Sequence, residues 1–173
     1  MIELENLAGG FNVDPLEGLL WGPLRESFGL APEQWKRLTE VVTLHMALDR
    51  FLFLRVTLGL TMLAGDRANV QRITRRVNKM RFAARLDLAQ DAGWISEDLA
   101  DDIAVVNGLR NRLLHFDVKR GVDEAPELAS PEAFRAFTQR GARAWAGLAA
   151  YLMPVVQRAA EEPGGAPPAT SQS

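Results

Sequence analysis

A chain of 173 residues with 47% hydrophobic and 24% charged side chains has the size and mix of one globular domain, which excludes a fibrous repeat or a wholly disordered polymer. It holds no cysteine, which removes disulfide frameworks, thiolate nucleophiles and the zinc and iron–sulfur sites built on thiolates, and points to a cytoplasmic location. The net charge of −2 hides a segregation: Met1 to Gln34 carries six acids against the single base Arg25, while Arg67 to Arg85 carries seven bases and no acid, so the acidic balance does not exclude a polyanion partner.

The start MIELENLAGG has neither a basic n-region nor an apolar h-region, so no secretory signal is expected. Residues 1–30 are rich in loop signals (Gly9-Gly10, Asp14-Pro15, Gly22-Pro23), with one short helix expected around Leu16 to Phe28. Pro32 is suited to the first turn of a helix, with Glu33 behind it on the favourable side of the dipole. That helix should run to about Ala64 and end at Gly65. It is apolar on nearly all sides from Met46 to Leu63, as a helix at the centre of a bundle would be. Within it the window Phe51 to Ala64 contains Arg55 and is too short for a membrane span, which needs about 20 apolar residues. A membrane is therefore not among the expected partners.

Asp66 is placed to cap a stretch from Arg67 to about Ala92, expected to break near Asn78 and to close at Gly93. Ser96 caps a helix with Glu97 and Asp98 in its first turn, running to about Phe116. A polar loop from Asp117 to Ala129 should lead to Ser130-Pro131-Glu132 and a last helix reaching about Ala160, kinked or split at Pro154. Glu162 to Ser173 is Pro, Gly, Ala and Ser without an apolar anchor, and is expected to be a disordered tail. No segment alternates like a strand. The reading is all-α: a bundle of four or five helices over residues 31–161, between an N-terminal extension and the tail.

Unwrapped at about 100° per residue, the helix from Ser96 to Phe116 gathers Leu99, Val105, Val106, Leu109, Leu113 and Phe116 on one side. The opposite side reads Ala100, Ala104, Asn107, Gly108, Asn111, His115. A solvated face would carry Lys, Glu, Arg and Asp. Small residues at i, i+4 spacing let a second backbone approach, and a Gly inside a helix costs about 1 kcal/mol against Ala. Ala100, Ala104, Asn107 and Gly108 are therefore the candidate dimer interface. Asn111 and His115 are i, i+4 neighbours on this face. Arg110 lies about 140° and about 7.5 Å from His115, so the two converge on one phosphate only through the long Arg side chain, fraying near Phe116, or pairing with a second copy.

Elsewhere the signals are weaker. His45 and Asp49 sit at i, i+4 and read as a satisfied core histidine rather than a metal site. Arg55 needs a carboxylate partner or a snorkelling route. No Gly-rich phosphate loop or other cofactor motif occurs, and Ser-His-Asp catalysis has no motif to rest on.

The string Arg110-Asn111-xxx-His115 resembles the RNxxxH form of the HEPN superfamily signature. Together with Phe82 to Ala89 and Gly93-Trp94-Ile95-Ser96, the stretch from Val41 to Val118 is similar to the HEPN branch that includes the mannitol repressor family. The resemblance implies a HEPN-type bundle of four or five helices with long central helices, dimerising through the motif helix. It also implies metal-independent cleavage of RNA at a composite dimer cleft, with Arg110, Asn111 and His115 as the catalytic residues. Toxin members paired with nucleotidyltransferase antitoxins often have Tyr two residues after the His, where this chain has Asp117. The mannitol repressor branch is associated with transcriptional regulation, so a non-catalytic dimeric interaction module is the alternative.

On the enzymatic reading, His115 is the general acid or base, Arg110 stabilises charge on the phosphoryl oxygens, and Asn111 orients the histidine or binds a phosphate oxygen. Arg72, Arg75, Arg76 and Lys79, with Arg112 and Lys119, would hold the RNA backbone. The expected partners are a second copy of the chain, RNA, and an antitoxin or regulatory protein.

Overall fold

The computed structural model describes residues 26–65, 69–115 and 117–161, with side chains through Pro154 except that of His115. The expected short helix before Phe28 falls mostly outside these residues, as do Asp66, Phe116 and the tail from 162. Among the described residues six α-helices and one 3₁₀ turn make an all-α bundle: α1 Pro32–Ala64, α2 Val70–Lys79, α3 Phe82–Asp91, α4 Glu97–His115, α5 Val118–Glu124, the turn Pro126–Leu128, and α6 Pro131–Glu161.

Local chemistry sets most of these boundaries. Pro32 stands at the start of α1, and the Ala31 N–H donates to Gln34 Oε1 at 3.0 Å. Gly65 ends the helix in the left-handed region at φ 61°, where a side chain would be strained. The basic stretch breaks at Met80 and Arg81, both extended at the α2–α3 junction, two residues later than the expected break at Asn78. Gly93 turns the chain at φ 66° and the Trp94 N–H bonds back to Ala89 O at 2.8 Å. Ser96 Oγ accepts from the Leu99 N–H and Ser130 Oγ from the Ala133 N–H, capping α4 and α6.

Two expectations are corrected. The predicted polar loop after Asp117 contains α5, because Asp117 Oδ1 accepts the N–H groups of Lys119 and Arg120, Val122 is buried, and Lys119–Asp123 and Arg120–Glu124 pair at i, i+4. α6 is not split at Pro154: it runs on as one helix to Glu161, beside the expected end at Ala160.

Helices α1, α4 and α6 pack on one another in all three combinations, and α2 and α3 lie against α1. Arg37 over Phe134, Phe51 on Trp145 and Arg55 over Tyr151 show α1 and α6 running in the same direction. Asp102 with Arg140 and Arg143, and Leu99 beside Gly147 further along α6, show α4 running against them. The core is filled by Leu48, Leu52 and Val56 of α1, Ile103, Val106, Leu109 and Leu113 of α4, and Ala144 and Leu148 of α6, all with no exposed surface. Leu99 and Val105 of the expected α4 stripe are only half-buried. α1 is central but not enclosed: its end leaves Met62 71% and Leu63 74% exposed. Where Trp94 crosses α1, a Cβ on Gly59 would stand 2.5 Å from the indole ring. Arg55 meets no carboxylate among the described residues; its Nε donates to Trp94 O at 3.1 Å and its head lies over the Tyr151 ring, the snorkelling route. Among the described residues no helix is long and apolar enough to cross a membrane.

Candidate functional site

Helix α4 carries Arg110 and Asn111 at half-buried positions. Arg110 is half-buried, and its Nη1 donates to Asn111 Oδ1 at 3.1 Å. No ion pair among the described residues involves Arg110, whereas Arg37, Arg85, Arg112, Arg120, Arg140 and Arg143 each meet a carboxylate. His115 is the last residue of α4, and the surroundings of its imidazole lie outside the described residues.

The small-residue face is shorter than its sequence suggests. Ala100 is 3% exposed and packs in the hydrophobic core cluster; it is corrected from interface to core. Asn107 is half-buried and faces α1, where its Oδ1 lies 3.2 Å from His45 Nε2. Ala104 is exposed, and a Cβ on Gly108 would meet nothing within 4 Å among the described residues. These two line a shallow groove flanked by Arg112, Glu127 and Arg140.

His45 is the residue that sequence reasoning undervalued. It is satisfied, as expected, but by Asn107 of α4; Asp49 takes Arg85 Nη2 at 2.6 Å. The His45 ring lies against Phe82 of α3, with ring centroids 4.8 Å apart. Burial above all, and then the cations Arg110 and Arg85, hold its proton affinity below that of an ordinary histidine, against the opposing pull of the Asn107 hydrogen bond and of Asp49. His45 is thus a second histidine beside the motif helix. The signal that could have found it is its polar character in an apolar helix, but its partner lies 62 residues away.

The proposed RNA contacts separate into two groups. Arg72, Arg75, Arg76 and Lys79 are all exposed, and none has an ion-pair partner among the described residues. At about 100° per residue they fall within about 100° of arc and about 10 Å of length on α2, on the far side from the inward-facing Ile73 and buried Val77. Arg112 and Lys119 do not join them. Arg112 pairs with Glu127 of the 3₁₀ turn, and Lys119 with Asp123 of its own helix at 2.8 Å, which also accepts from Gln34; both side chains stay half exposed, but each already has a carboxylate partner. Arg85 also leaves the basic run: at 8% exposure it is buried. Asp117 spends its carboxylate on the cap of α5.

No family model, curated protein or solved structure matches the chain.

Proposed function

We propose that the chain is a metal-independent endoribonuclease of the HEPN type, acting as a homodimer whose α4 helices form the cleft. The observation that carries this reading is Arg110: a half-buried residue whose guanidinium, among the described residues, meets the neutral amide of Asn111 and no carboxylate, two residues from an arginine that has a carboxylate. Its charge remains for a phosphate oxygen, which the planar fork can hold bidentately. His115 supplies proton transfer, and Arg110 stabilises the charge that develops at phosphorus. The exposed cations of α2 hold the backbone by a sequence-independent attraction. Asp117, the negative charge that would oppose phosphate at this end of α4, is turned to the N–H groups of α5.

The second reading is a non-catalytic dimeric regulatory module resembling the mannitol repressor family. It draws on the groove at Ala104 and Gly108, which accepts a second helix without any chemistry.

Incubation of the protein with total cellular RNA in EDTA separates the two. The ribonuclease reading expects fragments ending in 2′,3′-cyclic phosphate, absent with His115→Ala. A dimer that leaves every RNA intact fits the module alone.

A further inference from the structure

The path of the chain brings one end of the basic helix α2 back beside the motif. α3 begins where Phe82 lies against His45, with ring centroids 4.8 Å apart, and it runs in the direction of α1: Arg85 meets Asp49, and Trp94, just past its end, meets Gly59. α1 itself ends at Ala64, about 28 Å along its axis from His45. α2, packed on α1, and the extended residues Met80 and Arg81 therefore carry the chain back to the level of His45. His45 touches Asn107 of α4 at 3.2 Å. Arg110 is one helical turn beyond Asn107, about 4.5 Å along the axis, and its charge acts on His45.

Arg81 occupies this junction. It is exposed, extended at φ −68° and ψ 157°, and in no ion pair among the described residues. Its chain neighbour Phe82 is linked to α4 by one ring contact and one hydrogen bond. Lys79, Arg76, Arg75 and Arg72 lie progressively further from it along α2. Nothing acidic interrupts the row: residues 67–85 hold no acid, and Asp49 of α1 is taken by Arg85. α2 has no aromatic side chain on which a base could stack, so the row meets phosphates and does not read bases.

We propose, on the basis of the ribonuclease reading above, that Arg81 is a further RNA-binding residue that joins the motif to α2: the RNA strand leaves Arg110, crosses Arg81 and then lies along Lys79, Arg76, Arg75 and Arg72. The nucleotide next to the scissile phosphodiester is held at Arg81, and those beyond it are held in turn by the cations of α2. Each contact is a cation on a phosphate, so the length of the flanking RNA matters and its sequence does not.

The test is the order in which the cations come into play as the RNA lengthens. A cut site mapped in cellular RNA is rebuilt as a series of synthetic RNAs that extend it one nucleotide at a time, and kcat/KM is measured in EDTA for wild type, Arg81→Gln and Arg72→Gln, each shown to be folded by circular dichroism. Each substitution should lower kcat/KM by about two- to fivefold, the worth of one exposed charge pair. The Arg81→Gln loss should be present with the shortest RNA that is cut, and the Arg72→Gln loss only with longer ones. Changing the flanking sequence at fixed length should alter neither. Losses that set in together or in the reverse order, or an Arg81→Gln that cuts every RNA like wild type, overturn the inference while the ribonuclease reading stands. If Arg81→Gln does not fold, Lys79→Gln takes its place, and its loss should again set in before that of Arg72→Gln. A wild type that cuts no RNA removes the ribonuclease reading, and binding of a labelled oligouridine then decides the path. Arg81→Gln and Arg110→Gln should each flatten its salt dependence by about one unit of slope, and an unchanged slope for Arg81→Gln overturns the inference.

Discussion

Arg110 and Arg112 sit two residues apart on α4, and among the described residues only Arg112 of the two meets a carboxylate, that of Glu127. The pair should therefore separate stability from chemistry. Arg112→Gln leaves a partly buried carboxylate of Glu127 without its cation, and should lower unfolding free energy by about 1–2 kcal/mol. Arg110→Gln breaks no ion pair and should shift the urea midpoint little, while RNA cleavage falls sharply. Equal stability losses in the two variants would show that Arg110 is a packing residue.

Gly59 and Gly108 are both helical, and a methyl group should act oppositely at the two. At Gly59 a Cβ runs into the Trp94 ring, and overpacking of this kind costs about 1–3 kcal/mol. At Gly108 it meets no described residue within 4 Å, so Gly108→Ala should stabilise the isolated fold by up to about 1 kcal/mol. If a second copy packs on that groove, Gly108→Leu should split the dimer in light scattering at micromolar concentration while circular dichroism is unchanged. A wild-type monomer under those conditions would remove the dimer.

The four exposed cations of α2 should act on RNA and not on the fold. Replacing Arg72, Arg75, Arg76 and Lys79 by Gln should weaken binding to a non-cleavable RNA and flatten its salt dependence, by about one unit of slope for each phosphate no longer neutralised. Because none of them has an ion-pair partner among the described residues, thermal unfolding should stay where it is. An unchanged slope would make this face only a solvated one.

How much of this was legible in the sequence follows the range of the forces involved. The boundaries of α1, α4 and α6 could be read from Pro32, Gly65, Ser96 and Ser130-Pro131, since caps act within a few residues. α5 could not: seven residues with a central Gly121 and one buried side chain, Val122, have little propensity of their own, and the helix rests on the Asp117 cap and on a close approach to α4 at Gly121, where a Cβ would stand 3.0 Å from Arg112 O. A helical wheel treats every turn of α4 alike and so assigns Ala100 to the open face, although the chain itself covers the first turn. It places Asn107 on that face too, because only the packing of α1 across α4 turns Asn107 to His45. The unpaired state of Arg110 was equally invisible, for it depends on which carboxylates other helices bring near.

The lowered proton affinity of His45 has a consequence for stability. The unfolded chain holds a proton on this side chain at a pH where the folded chain does not, so stability rises with pH there. The neutral-histidine contribution is complete above the unfolded value near 6.5 and is lost as pH falls through the lower folded value. Urea midpoints at about pH 5 and about pH 7.5 should differ more for wild type than for His45→Gln. An equal difference in the two proteins would mean that the cluster does not depress the titration of His45.

The central claim is that Arg110 and His115 cut RNA, and single-turnover cleavage of a short RNA in EDTA tests it most directly. Wild type should yield 2′,3′-cyclic phosphate ends. His115→Ala should be slower by about 10²-fold or more while remaining a folded dimer, and Arg110→Lys should be nearly as slow, because Lys keeps the charge and loses the planar fork. Equal rates for wild type and His115→Ala, or an RNA that no form of the protein cuts, would contradict the account.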